Sequence, residues 1–197
     1  MLLTDDEISL IKHNISDSIE TKQRIMSDPD LLKEIGNLAA LMAETIERGN
    51  KILVCGNGGS ASDALHIVGE IVGRFQKERR GYPALALNAD VATITAIAND
   101  YGYGQVFARQ VEAMFCEGDL LIGISTSGNS LNIIHAFEKV HELSGKTALL
   151  SGGDGGKLRD KSDLCVIVPS KITARIQESH MCIYHILCEI VESRLSA

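Results

Sequence analysis

The stretch DLLIGISTSGNS, residues 119–130, decides how the chain is read. Leu120 to Ile124 is a short apolar run, the pattern of a strand buried on both faces. It stops at Ser125-Thr126-Ser127-Gly128-Asn129-Ser130, and a helical pattern begins just after. A hydroxyl-rich turn between a strand and a helix suits an anion. The first N–H groups of the helix point outward, the helix dipole favours negative charge, and Ser and Thr hydroxyls add donors. The turn holds no lysine and no GxxxxGK[ST] pattern, so it is not a nucleotide P-loop. A single phosphate monoester on a small molecule fits better. The plainer alternative is ordinary helix capping, for which Ser and Asn are good residues.

Working outward, further apolar runs at 51–55, 84–87, 146–150 and 164–168 read as strands. Helical patterns lie between them, at about 61–75, 91–98, 106–115 and 131–143, and a last helix spans about 173–195. Asn99-Asp100-Tyr101-Gly102 reads as a turn, and Gly152 to Gly156 as the connection after the fourth strand. Strands alternating with helices imply parallel strands and right-handed crossovers. The expected fold is α/β: a three-layer α/β/α sandwich around a parallel five-stranded sheet. Ligands in such folds sit beyond the carboxyl ends of the strands. Both the 125–130 turn and the glycine loop Gly56-Asn57-Gly58-Gly59-Ser60 fall there. GNGGS is not GxGxxG followed by an acid about 20 positions on, so a dinucleotide reading is weak.

Two helices precede the first strand. Residues 5–27 carry an apolar stripe of Ile8, Ile11, Ile15, Ile19 and Ile25, and Asp28-Pro29-Asp30 starts a second helix over 31–48. One sheet does not need both. The first is expected to pack on another subunit; the alternative is that it covers the sheet edge. No linker splits the chain, so 1–197 reads as one domain, with about 1–48 for oligomer packing and 50–195 as the α/β core.

Net charge is -7, which argues against a nucleic-acid surface. No apolar run approaches the roughly 20 residues of a membrane span, and the N-terminus MLLTDDEISLIK has no signal-peptide core. Five cysteines with no CxxC pair read as buried thiols of a cytoplasmic protein.

His66 and Glu70 lie four apart on the helix after the glycine loop, on one face. Gln177 and His185 lie eight apart on the last helix, about 80° around its axis, and can share a face. His180 competes for that role, whereas Glu178 faces elsewhere. Two helices offering His, Glu, Gln and His could form a metal site of the kind zinc accepts, or an acid–base site that moves a proton between carbons. Taken singly, His66/Glu70 could be a surface pair and His185 a core histidine.

Six motifs carry a resemblance: CGNGGSASDALH (55–66), GEIVGRF (69–75), AIANDYGY (96–103), GISTSGNS (123–130), GGDGGKL (152–158) and ARIQESH (174–180). With them the chain resembles the sugar isomerase (SIS) domain family, of flavodoxin-like fold, and within it the bacterial phosphoheptose isomerases. The resemblance runs from about residue 50 to 190. It implies an aldose–ketose isomerase converting sedoheptulose 7-phosphate to D-glycero-D-manno-heptose 7-phosphate through an enediol. That reaction is the first step toward ADP- or GDP-heptose for lipopolysaccharide or surface glycans.

Residue by residue, the resemblance implies Glu70 as the base and His185 as its acid–base partner. Asn57, Gly58, Gly59, Glu70, Asn99, Asp100, Ser125, Thr126, Ser127, Ser130 and Gln177 match substrate-binding positions. His66, Glu70, Gln177 and His185 match ligands of one Zn²⁺ per subunit. The family assembles as homotetramers with sites near subunit interfaces, and neither nucleic acid nor membrane is an implied partner. Ala174 stands where some isomerases have aspartate. The alternative within the family is a non-catalytic adaptor that binds the replication initiator protein. It shares LNADVATITAIAND (87–100) and TARIQE (173–178) but lacks the carboxylate and histidine matching Glu70 and His185. A sugar-phosphate-sensing regulatory domain would use the same loop, but it usually comes with a DNA-binding domain, and about 50 N-terminal residues in a chain of net charge -7 do not resemble one.

Overall fold

The computed structural model describes residues 3–196. Helix α1 (Asp5–Met26) starts at a capping box: the Thr4 side chain accepts from the Glu7 N–H, and the Glu7 carboxylate accepts from the Thr4 N–H. Helix α2 (Pro29–Glu47) starts at Asp28, which accepts from the N–H groups of Asp30 and Leu31, with proline at the first helical position. There follow β1 (Ile52–Gly56), α3 (Gly59–Val72), β2 (Ala84–Ala86), α4 (Val91–Tyr101) and a 3-10 turn (Tyr103–Gln105). Then come α5 (Ala108–Met114), β3 (Leu120–Ser125), α6 (Leu131–Glu142), β4 (Lys146–Gly152), α7 (Gly156–Arg159), β5 (Leu164–Val168) and α8 (Thr173–Leu195).

The five strands form one parallel sheet in the order β2-β1-β3-β4-β5. Ile52 pairs with Ala84 on one side and Leu120 on the other; Ile122 pairs with Val54 and Ala148. Strand order reverses between β1 and β3. The loops leaving their carboxyl ends therefore diverge and open a crevice, the usual ligand position in a doubly wound sheet.

Both faces of the sheet are covered, as the continuous apolar runs require. On one face Val54, Ile122 and Leu150 pack with Leu38, Met42, Ile67, Ile71, Ile183 and Leu187 of α2, α3 and α8. On the other, Leu53, Leu121 and Leu149 pack with Val111 of α5 and Ile133, Phe137 and Val140 of α6. Each fully buried Leu, Ile or Phe side chain contributes about 1.5–3 kcal/mol, so these layers hold the loops at the strand ends in place.

Several expectations are corrected. The expected turn at Asn99-Asp100 is the last turn of α4, which continues until Gly102 at φ +85° ends it. The helix expected at 106–115 is present but shorter, as α5 over 108–114, and a 3-10 turn precedes it at 103–105. The connection after β4 contains the short helix α7. Helix α3 begins two residues early and ends at Val72 instead of 75. Helix α1 does not cover a sheet edge; it packs on α8 and α2. Its Ile8, Ile11, Ile15 and Ile19 are 37–55% exposed, and only Thr21 and Ile25 of this helix are buried. The cysteines are free, but only Cys55 and Cys188 are buried, while Cys116 and Cys182 are exposed. Cys182 lies on the solvent side of α8, and Cys116 lies in the loop between α5 and β3, where a neighbouring apolar run does not enforce burial. Among the described residues, no helix is long and apolar enough to cross a membrane.

Candidate active site

Helices α3 and α8 lie side by side on one face of the sheet, and their facing sides carry His66, Glu70 and His185. His66 Nε2 is 3.1 Å from Glu70 Oε1, one helical turn on. His185 Nε2 is 3.4 Å from His66 Nε2. The three side chains are half-buried, and their ligating atoms all lie within 4.8 Å of one another. His185 is held between the stacked ring of Phe75, at 5.7 Å, and the edges of Tyr184 and His66. The buried Tyr184 hydroxyl is 2.9 Å from His66 Nδ1. A proton on Nδ1 donated to Tyr184 leaves the His66 Nε2 lone pair facing Glu70 and His185. Burial pushes the Tyr184 hydroxyl well above the usual tyrosine range, and the neighbouring Asp63 carboxylate pushes it further.

These three residues could hold a metal ion. Two imidazole nitrogens that face each other with a carboxylate oxygen beside them form a nitrogen–oxygen donor set of the kind zinc accepts. The partner on His66 Nδ1 is what orients such a ligand. The fourth expected ligand, Gln177, stands about two turns before His185 on α8. Its side chain rests on Gly59; a Cβ there would fall 2.4 Å from Gln177 Nε2. Glycine at position 59 is what lets α8 approach the start of α3 so closely.

His180 does not compete with Gln177. It is fully buried on the sheet side of α8, with Nε2 3.0 Å from the Ser151 carbonyl, and burial lowers its pKa to about 4. Glu178 faces away, as its helical angle implies, and accepts from Arg175 Nη2 at 2.7 Å.

At the carboxyl end of β3 the turn is built from backbone. Gly128 has φ +65°, and a Cβ there would lie 1.8 Å from the Gly155 carbonyl oxygen, so only glycine closes this contact between the two loops. Ser130 occupies the N-cap position of α6, yet its side chain makes no capping bond. Its Oγ is 2.9 Å from Ser125 Oγ. Ordinary capping therefore does not account for that hydroxyl. Ser151 Oγ donates to the Ser125 carbonyl at 2.7 Å, fixing the strand end. Thr126 and Ser127 line a cavity of about 390 Å³ with Gly152, Gly153, Asp154, Lys171 and Thr173.

The glycine loop sits one strand over. Gly58, at φ +56°, turns the chain from β1 into α3. Asn57 exchanges hydrogen bonds of 2.9 Å with the buried Asn132 of α6, and the Tyr103 hydroxyl donates to Asn57 Oδ1 at 3.0 Å. Asn99 and Asp100 are exposed at the end of α4, with Asn99 Nδ2 donating to Asp100 Oδ1 at 2.8 Å.

Sequence reasoning missed Tyr184, Asp63, Asn132, Tyr103 and Lys171. For Asp63 a signal existed: with His66 and Glu70, the only other ionisable residues of α3, it falls at i, i+3, i+7 on one face. The others are brought in by tertiary contacts with no local pattern.

A family model described as the SIS domain matches residues 13–152. The chain is 57% identical over 152 residues to a phosphoheptose isomerase of Helicobacter pylori, covering 77% of this chain and 79% of the relative. It is 51% identical over 185 residues to a phosphoheptose isomerase of Aneurinibacillus thermoaerophilus, covering 94% and 93%. Among solved structures, it is similar to a phosphoheptose isomerase from Francisella tularensis at TM-score 0.91 and 40% identity, covering 97% of this chain and 100% of that one.

Proposed function

The chain belongs to the SIS-domain family and, within it, to the phosphoheptose isomerases, and from that membership and the site's geometry we propose how it acts. It interconverts sedoheptulose 7-phosphate and D-glycero-D-manno-heptose 7-phosphate through an enediol, the first step toward activated heptose for lipopolysaccharide or other surface glycans. The observation that carries this reading is the convergence of Glu70 with His66 and His185 on two packed helices. A hydrogen on carbon beside a carbonyl is weakly acidic. The Glu70 carboxylate removes it at one of C1 and C2 and returns it at the other, while His185 serves the neighbouring oxygen. Glu70 Oε1 faces His66, which leaves Oε2 for the travelling proton.

Ser125, Thr126, Ser127 and Ser130 take the phosphate, and Asn57, Gly58, Gly59, Asn99, Asp100 and Gln177 contact the sugar. The remote phosphate then contributes binding energy that aligns C1 and C2 with Glu70. Held by His66, Glu70, Gln177 and His185, one zinc ion would polarise the sugar oxygens and stabilise the charge that develops on them. An adaptor needs no such acid–base pair, and no observation favours that reading.

We further propose a cytoplasmic homotetramer. Its support is the apolar stripe Ile8, Ile11, Ile15 and Ile19 that α1 leaves exposed. Ile11→Asp with Ile15→Asp should lower the mass seen by light scattering below that of the tetramer; an unchanged mass would remove α1 from the interface.

The deciding experiment is incubation with sedoheptulose 7-phosphate in D₂O, followed by NMR with and without added zinc. Formation of an aldose, with deuterium at C2 reporting exchange of the enediol proton, is expected. No conversion under any metal condition would overturn the reading.

A further inference from the structure

We propose that Arg79 and Glu192, outside the acid–base cluster, are positioning residues that set Glu70 against His185; this rests on the isomerase reading above. Their side chains are 6% and 2% exposed, and Arg79 Nε donates to Glu192 Oε1 at 2.9 Å. What the pair does with its remaining atoms is informative. Helix α3 ends at Val72, and its last carbonyls lack partners within the helix. Arg79 supplies two of them: Nη2 donates to the Glu70 carbonyl at 2.8 Å, and Nη1 donates to that of Ile71 at 3.1 Å, which also accepts from the Tyr82 N–H, and to that of Gly73, just past the helix, at 3.3 Å. Glu192 in turn accepts from the backbone N–H groups of Phe75 at 3.0 Å, Gln76 at 2.8 Å and Lys77 at 2.8 Å.

Glu192 lies seven residues after His185 on α8, two turns on and within about 20° of the same face. The pair therefore ties the backbone of Glu70 to the helix that carries His185. It also ties down Phe75, whose ring stacks on His185 at 5.7 Å. Burying a charge pair is a poor way to gain stability, because desolvation offsets most of the attraction. A pair whose bonds go largely to one helix end and one loop is better suited to fixing geometry. Arg79 reaches Glu70 only through its main-chain carbonyl, so its effect on the reaction is indirect.

The test uses Arg79→Gln and Glu192→Gln in the full chain. Steady-state kinetics on sedoheptulose 7-phosphate are combined with zinc affinity by chelator competition and with thermal melts. Asp163→Asn, at the amino ends of β4 and β5, serves as a destabilised control. The expected result is a fall of about 10–100-fold in kcat, with KM within about twofold, and a comparable loss of zinc affinity, the size usual for groups that orient metal ligands. The control should lose thermal stability with neither change. If both variants melt lower but, while folded, keep wild-type kcat and zinc affinity, the pair is merely structural and the proposal is overturned. Should neither variant fold, Arg79→Lys keeps a positive charge beside Glu192 but loses the planar fork that reaches the Glu70 and Ile71 carbonyls. A loss of zinc affinity there supports the proposal, and unchanged affinity overturns it. If the wild type does not isomerise, the functional reading fails by itself, and zinc competition still decides between the two outcomes for this pair.

Discussion

In the Ser125–Ser130 loop the fixed parts are backbone: Gly128 sits against the Gly155 carbonyl, and Ser125 is anchored through its own carbonyl to Ser151. In the α3–α8 cluster the fixed parts are side chains: His66 is held from behind by Tyr184, and His185 lies between Phe75 and Tyr184. The difference follows from the task. A phosphate presents several equivalent oxygens, and many donors can share it, so a loop of N–H and hydroxyl groups suffices. A proton transfer has one donor atom and one acceptor atom, and a displacement near 1 Å can cost about 100-fold. The cluster should therefore fail abruptly when one atom changes, and the loop should fail by degrees.

Glu70→Gln is the sharpest test of that contrast. It keeps the shape and removes the base, so kcat should fall by about 10²–10⁴-fold, the usual worth of a general base. Calorimetry should still show substrate bound with near wild-type affinity. Full activity in this variant would remove Glu70 as base and end the contrast. A smaller effect is expected from Ser125→Ala with Ser127→Ala. Hydrogen bonds to a charged group are worth about 1.5–3 kcal/mol each, and backbone donors remain, so KM should rise roughly 10–100-fold with kcat much less affected. An unchanged KM would remove the loop from phosphate binding. A fall confined to kcat would mean that the loop, too, acts at the reacting carbons.

The same contrast explains how much could be read from sequence. The loop was legible because strand, turn and helix are local patterns, and their order fixes where the loop must lie. His66 and Glu70 were legible as a pair because one helical turn separates them. The choice of His185 over His180 was not, because five residues on α8 put them about 140° apart and only the packing shows which side meets the sheet. Tyr184, Asn132 and Arg79 had no signal at all. Each reaches its partner from a distant segment, as with the 118 residues between Tyr184 and His66. Cys116 and Cys182 show the opposite failure: an apolar neighbourhood in sequence suggests burial, yet both thiols are exposed.

The smallest effect on turnover is expected at the other end of the sheet, where Asp163 joins the start of β5 to the start of β4. Its Oδ2 accepts from the Thr147 N–H at 2.8 Å and the Thr147 hydroxyl at 3.0 Å, and its Oδ1 accepts from Lys146 Nζ at 3.1 Å. Partial burial by itself would raise the carboxyl pKa, but these hydrogen bonds outweigh it and hold the group at about 2, below the ordinary 3.8. A carboxyl whose pKa falls on folding stabilises the fold above the unfolded value. That contribution is complete above about pH 4 and is lost as pH falls through about 2. Asp163→Asn should therefore lower stability by about 1.5–3 kcal/mol at neutral pH, the worth of hydrogen bonds to a charged group. The gap in Tm between variant and wild type should close as pH falls from 4 toward 2, while kcat and KM at neutral pH stay at wild-type values. A gap independent of pH would show that the carboxylate's charge is not what holds these strand ends together. A fall in kcat would show that strain at the amino ends of the strands reaches α3 and α8, so that the abrupt failure expected of the cluster is not confined to its own side chains.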